Sequence, residues 1–290
     1  MKLKNYPAAC RIKPRTKVNL KEWPTQIDTL VESKHDYEKK LAKQIEQLRE
    51  LQNLLYADQR YGLLLIFQGM DASGKDGVIK HVMSGVNPQG CQVHSFKQPS
   101  VEELAHDFLW RTTCHLPARG QIGIFNRSYY EEVLIARVHP AVLAKQQLPK
   151  AIVQDKHFWE HRYESIVNME KHLSRNGTVI LKFFLHLSKE EQRQRFLARI
   201  DEPSKNWKFS QADVEERHFW KDYQRAFEEC LSATSTDEVP WYVIPADDKQ
   251  NAHLIISQTI EDALQGLPLE FPRLDKAHKE ELKSVRKLLA

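Results

Sequence analysis

The chain has 290 residues, 41% of them hydrophobic and 28% charged, a balance that describes a globular protein with a sizeable core and excludes a disordered chain. A net charge of +4 does not by itself call for nucleic acid, so the placement of the charges matters more than their sum. Cys10, Cys91, Cys114 and Cys230 form no C-x-x-C pair, which argues against a disulfide framework or zinc site and fits a reducing compartment.

Residues 1–24 are polar, basic and aperiodic and read as an extended arm. They lack the apolar stretch of a signal peptide, and no apolar run approaches membrane-spanning length, so a cytoplasmic protein is expected. Tyr37, Leu41, Ile45, Leu48, Leu51 and Leu55 recur every three or four residues and predict a long amphipathic helix over about 30–57. The period then changes. Leu63–Phe67 is a continuous apolar run suited to a strand buried on both faces. Glycine-rich residues 69–77 end it, and Val78–Met83 begins a helix. Cys91–Phe96 is a second strand, and Val101–His115 a helix opened by the capping pair Ser100 and Glu103. Ile122–Phe125 is a third strand, followed by helices over Ser128–Val138 and about 155–174. Thr178–Leu187 gives the strongest strand signal. Ser188 with Glu191 opens a helix rich in Gln and Arg, Trp241–Ile244 is a fifth strand, Ala252–Leu264 a closing helix, and Asp275–Ala290 a charged helical tail. Strands alternating with helices imply a parallel five-stranded α/β sheet covered on both faces, with ligands at the carboxyl ends of the strands. The expected division is an arm and helix over 1–60, a body over 61–270 and a tail over 271–290.

Gly69-Met70-Asp71-Ala72-Ser73-Gly74-Lys75 matches G-x-x-x-x-G-K between a predicted strand and a predicted helix, the context that gives the motif its meaning. Backbone N–H groups of such a loop converge on phosphate oxygens, the helix N-terminus adds partial positive charge, and Lys75 a full one. The next position is Asp76, where Ser or Thr usually binds Mg²⁺. Its carboxylate would repel bare phosphate unless a metal intervenes or it points away. Asp71, inside the loop, is placed to hold metal against phosphate. At the next strand end, Asn126 stands where a metal-supporting Asp is usual, and Glu131 restores a negative charge farther on. Arg127 beside the phosphate site is a clamp for the transferring group, its planar fork suiting phosphate.

With these two motifs together the chain resembles the polyphosphate kinase 2 family from about 37 to 265. The matching segments are GMDASGKDG (69–77), GVNPQG (85–90), FNRSYYEEV (125–133), LKFFLHLSKEEQRQRF (181–196), WKFS (207–210) and PWYVIPADDK (240–249). The resemblance implies a thymidylate-kinase-like P-loop kinase fold with a helical lid, placed at about 188–220. It implies Mg²⁺-dependent (or Mn²⁺-dependent) transfer between inorganic polyphosphate and a nucleotide. By motif, Asp71, Lys75 and Arg127 carry over as catalytic or phosphate-binding positions. Asn126 with Glu131 resembles the branch accepting both AMP and ADP, so Asn126, Arg127 and Glu131 become nucleotide-binding candidates. Asp71, Asn126 and Glu131 are the metal candidates, and a homodimer or homotetramer is implied.

Polyphosphate resembles a nucleic-acid backbone without bases, and Lys and Arg contacts alone can hold it. Lys80, Lys97, Arg111, Arg137, Lys182, Arg193, Arg199 and Lys208 are the candidates beyond the motifs, with Lys182, which interrupts an apolar strand, and Arg137 rated above the rest. The acceptor oxygen of AMP or ADP is already anionic, so direct in-line transfer needs no general base; ATP is the product from ADP or the donor in reverse. Two rivals are an ATP-dependent nucleotide kinase of the same fold and a nucleotide- or nucleic-acid-binding module without turnover. Nucleic-acid and membrane partners are not expected. His157-Phe158-Trp159-Glu160-His161 matches the zinc pattern H-x-x-E-H, but the segment has Phe158, Trp159, Tyr163 and Ile166 to bury and reads as a structural helix. Trp207 and Phe209 are read as lid packing, and Cys114 as a small core residue.

Overall fold

The computed structural model describes residues 1–289. Its centre is β1, Gly62–Gln68, in which every residue is buried. Successive side chains of a strand point to opposite faces. Leu64 and Ile66 enter one apolar core, while Leu63, Leu65 and Phe67 enter the other. The remaining strands are β2 (Cys91–Ser95), β3 (Ile122–Asn126), β4 (Thr178–His186) and β5 (Trp241–Pro245). All pairings are parallel and the order is β2-β3-β1-β4-β5. β1 therefore lies between β3 and β4, and the loops after β1 and β3 emerge side by side on the carboxyl edge.

The long N-terminal helix runs Lys34–Asp58, starting where the Ser33 hydroxyl accepts from Asp36 N, a few residues later than its periodicity suggested. It lies against the helix Lys249–Gln265, which is buried along most of its length. Ile256 and Ile260 of that helix join Leu48 and Leu55 in one core. On the opposite face, the helices Phe158–Arg175 and Trp220–Thr234 contribute Ile166, Phe227 and Leu231 to the other core. The tail helix Lys276–Leu289 buries no residue.

Four expectations need correction. Residues 1–24, expected as an extended arm, pack into the body. Ile12 N donates to Trp241 O at 2.8 Å at the outer edge of the sheet, and Ile12, Val18 and Leu20 are core residues. The helix predicted over Val101–His115 is two short pieces, Val101–Leu104 and Trp110–Thr113. The Asp107 carboxylate accepts from Leu109 N at 2.9 Å, a local turn that competes with helix. The break leaves Cys114 exposed rather than in the core. The Ser128–Val138 helix is a 3₁₀ turn, Tyr129–Val133, followed by one α-turn, Ile135–Val138. The H-x-x-E-H segment behaves as the helix its apolar residues predicted: His157 pairs with Glu160 and His161 with Asp155, while Phe158 and Tyr163 are buried.

Ile12 is fully buried, so Ile12→Ala is expected to cost about 2–4 kcal/mol, read as a lower midpoint of heat or denaturant unfolding. No loss of stability would mean that this segment lies free on the surface.

Candidate active site

The loop after β1 wraps back on itself before the helix Lys75–Val82. Gly74 holds φ +105° at the helix N-cap, a left-handed conformation natural to glycine. Gly69 is required by close approach, because a Cβ there would lie 2.7 Å from Ser73 Oγ and 3.0 Å from Leu185 O. Ala72 also has positive φ, +61°, without being glycine. Lys75 is buried, its Nζ donating to the carbonyls of Gly69 and Met70 at 2.8 and 3.2 Å and to Ser73 Oγ at 3.5 Å. Burial first, and the positive Arg127 second, lower its pKa to about 8.

The loop after β3 meets this cradle. Arg127 N donates to Phe67 O at 3.1 Å, and its φ of +65° is unusual for a non-glycine residue. Its guanidinium donates to Asp71 Oδ1 at 2.8 Å and lies 3.9 Å from Glu131 Oε2. The negative charges of Glu131 and Asp71 outweigh burial and raise its pKa. Asn126 Nδ2 donates to Asp76 Oδ1 at 2.6 Å. An Asp at 126 would set two carboxylates against each other there, so the neutral amide removes a repulsion. Asp71, Lys75, Asp76, Asn126, Arg127 and Glu131, predicted from two separate motifs, thus form one cluster. Asp213 lies close enough that, after burial, the charge of Asp71 helps raise its pKa.

The outlying basic residues divide. Lys80 and Lys208 are exposed, Lys208 over the Trp207 ring at 5.0 Å. Trp207 itself is 78% exposed and Phe209 43%, so neither packs a closed lid. Arg193 is exposed and pairs with Glu190 at 2.7 Å; Arg199 pairs with Asp213 at 3.0 Å. Arg137 pairs with Glu229 and lies 4.9 Å from the Trp159 ring. Two candidates are corrected. Lys182 is wholly buried and bound to Glu170 at 2.7 Å, out of reach of a polyanion. Arg111 is buried too, donating to Lys97 O at 2.8 Å and to Glu132 Oε1 at 3.3 Å.

Sequence reasoning missed Arg195 and Gln192. Both lie on the helix Lys189–Asp201 and grip the P-loop from behind. Arg195 Nη1 donates to the carbonyls of Ala72 and Ser73 at 2.9 Å, and its Nη2 to Ala246 O at 2.5 Å. Gln192 Nε2 donates to Asp71 O at 2.9 Å. The signal was present: residues 192, 195, 196 and 199 share one helical face, and Phe196 marks it as the inward one.

The sequence model described as Polyphosphate kinase 2 (PPK2) matches residues 31–271. The chain belongs to the polyphosphate kinase 2 family. It is 59% identical over 279 residues to an ADP-polyphosphate phosphotransferase of Rhodopseudomonas palustris, covering 96% of each chain. It is 41% identical over 268 residues to an AMP/ADP-polyphosphate phosphotransferase of Meiothermus ruber, covering 92% of this chain and 96% of that one. Among solved structures, polyphosphate kinase 2 from Arthrobacter aurescens TC1 superposes with a TM-score of 0.86 at 38% identity, covering 98% of both chains. The P-loop kinase fold that the resemblance implies is thereby the fold of this family member.

Arg195→Ala strands several carbonyls that now accept from a guanidinium. It is expected to lower unfolding free energy by roughly 2–3 kcal/mol and to weaken polyphosphate binding measured by calorimetry. Arg193→Ala, two residues away on the solvent face, should leave the melting temperature unchanged, because exposed ion pairs contribute little.

Proposed function

We propose that this protein transfers a terminal phosphoryl group between inorganic polyphosphate and ADP or AMP, directly and in line. The observation that carries the reading is the cluster at the carboxyl edge: the P-loop with Lys75, and Arg127 held between Asp71 and Glu131. The names of the relatives support polyphosphate as donor and adenine nucleotides as acceptors. Nothing in the site favours the ATP-dependent kinase or the binding module over this reading.

Phosphoryl transfer asks the protein mainly for alignment and charge neutralisation. Lys75 and Arg127 would leave their present partners for phosphate oxygens, Lys75 from the loop carbonyls and Arg127 from Asp71. Both already lie in the cluster, so the change asked of each is a local exchange of partners. The acceptor phosphate oxygen is ionised near neutrality, and no side chain has to remove a proton.

The residues fit a magnesium ion delivered with substrate better than a resident one. Among the described residues no three His, Cys, Asp or Glu side chains are arranged to hold a metal. Asp71, Asp76, Asn126 and Glu131 offer oxygen donors around the phosphate position, and Mg²⁺ is commonly bound through one or two carboxylates plus substrate phosphates. When bound, the ion would neutralise phosphate charge. We also propose that residues 188–220 close over the site, hinging beyond Arg195, whose grip on the P-loop fixes the first part of that segment. A homodimer or homotetramer is the assembly we expect, to be checked by mass in solution. No helix among the described residues is long and apolar enough to cross a membrane.

Protein, Mg²⁺, polyphosphate and ADP or AMP, with no other donor, should yield ATP or ADP, and Lys75→Ala should abolish the product. Absence of product with the parent protein sinks the reading, and a trapped phospho-enzyme sinks direct transfer.

Lys75 also gives a pH signature. With its pKa lowered to about 8, it is charged below that pH and neutral above it. A bound polyanion stabilises the charged form and raises the pKa. Polyphosphate binding should therefore take up protons near pH 8 and weaken as pH rises further. Calorimetry in buffers of different ionisation enthalpy reads the uptake, which Lys75→Ala should eliminate.

A further inference from the structure

Lys182 and Glu170 lie inside the protein, with side chains 0% and 1% exposed and 2.7 Å apart. Their hydrogen bonding is complete. Lys182 Nζ donates to Glu170 Oε2, to the Tyr130 hydroxyl at 2.9 Å and to Thr234 O at 2.8 Å, which uses all three ammonium protons. Glu170 Oε1 accepts from the hydroxyls of Tyr129 and Tyr130 at 2.8 and 2.7 Å. Trp241 closes the far side, its ring 5.2 Å from Nζ and its indole N–H donating to Thr234 Oγ1 at 2.9 Å.

Stability alone is a weak reason for such a pair. Well-packed apolar side chains of similar volume commonly do as well or better, because two charges must be taken out of water. Position is a stronger reason. Tyr129 and Tyr130 are the second and third residues after Arg127, whose left-handed backbone persists only where its surroundings dictate it. On the other flank, the Glu132 carboxylate accepts from Arg111 at 3.3 Å and from Gln146 at 2.6 Å, and its carbonyl accepts from Arg162 at 2.9 Å. Glu131, between the two anchored stretches, is the residue whose side chain lies beside Arg127.

We propose that the Lys182–Glu170 pair is a positioning device for the phosphate site. By holding the hydroxyls of Tyr129 and Tyr130 it fixes the Asn126–Glu131 turn and so the aim of Arg127 and Glu131. The effect on turnover rests on the phosphoryl-transfer reading above, but the effect on the turn does not.

Two variants test it. Lys182→Met with Glu170→Leu replaces the pair by apolar side chains, and Tyr129→Phe with Tyr130→Phe removes only the two hydroxyls, so the second serves if the first does not fold. In a variant that melts like the parent, amide exchange over 126–133 is expected to quicken about tenfold while the P-loop is unchanged. Turnover with polyphosphate and ADP should lose about tenfold in kcat with KM for polyphosphate altered less than about threefold, the mark of an interaction lost in the transition state. The loss should shrink when Glu131→Gln is already present, because residues acting through one another are not additive. Unchanged exchange overturns the proposal, as does kcat within about twofold of the parent, or the same fold loss with and without Glu131→Gln. A parent without turnover overturns the phosphoryl-transfer reading instead, and the exchange measurement then decides the positioning claim alone.

Discussion

Parallel pairing of β1 with β3 on one side and β4 on the other is the constraint on which the site depends. It puts the carboxyl ends of β1 and β3 on one edge, where the bond from Arg127 N to Phe67 O joins the loop after one strand to the backbone of the other. Leu63–Phe67 achieves this by being apolar on both faces. Residues 69–76 and 126–131, about fifty positions apart in sequence, thereby become one surface.

Around that edge, buried polar groups hold the loops from below and behind. Arg195 and Gln192 hold the P-loop by spending donors on its backbone carbonyls. Glu170 and Glu132 do the same for the second loop, one through tyrosine hydroxyls and the other through buried arginines. Loops that must hold positive φ at Ala72 and Arg127 cannot rely on local preference, and these tertiary contacts fill that role.

Much of this was legible in the sequence because it is local. The five strands, the long helix and the P-loop follow from apolar periodicity and from glycines at fixed spacing, and the cluster of Asp71, Lys75, Asn126, Arg127 and Glu131 follows from two motifs. What was not legible depends on distant partners. A lysine in an apolar strand reads equally as a ligand contact or as half of a buried pair, and only Glu170, twelve residues earlier on another element, decides it. Residues 1–24 looked like an arm because a segment that adds to the edge of a sheet and buries single side chains shows no period of its own. Arg193 and Arg195 look alike in composition, yet helical phase sends one to solvent and the other to the P-loop carbonyls.

The charges of the site also explain why a net charge of +4 was a poor guide to its ligand. Arg127 is held by Asp71 and Glu131, Arg199 by Asp213, Arg193 by Glu190 and Arg137 by Glu229. The arginines that a polyanion would meet there are already paired with carboxylates and would have to exchange partners, whereas Lys75 is bound only to carbonyls and a hydroxyl, and Lys80 and Lys208 are exposed. On the proposed reading, each arginine that turns to phosphate leaves a carboxylate behind, and Asp71 is left beside the very oxygens that displaced it. Two like charges brought together that way repel unless a cation comes with them. The magnesium ion proposed to arrive with substrate would offset that repulsion, with Asp71 and Glu131 as the carboxylates that would hold it.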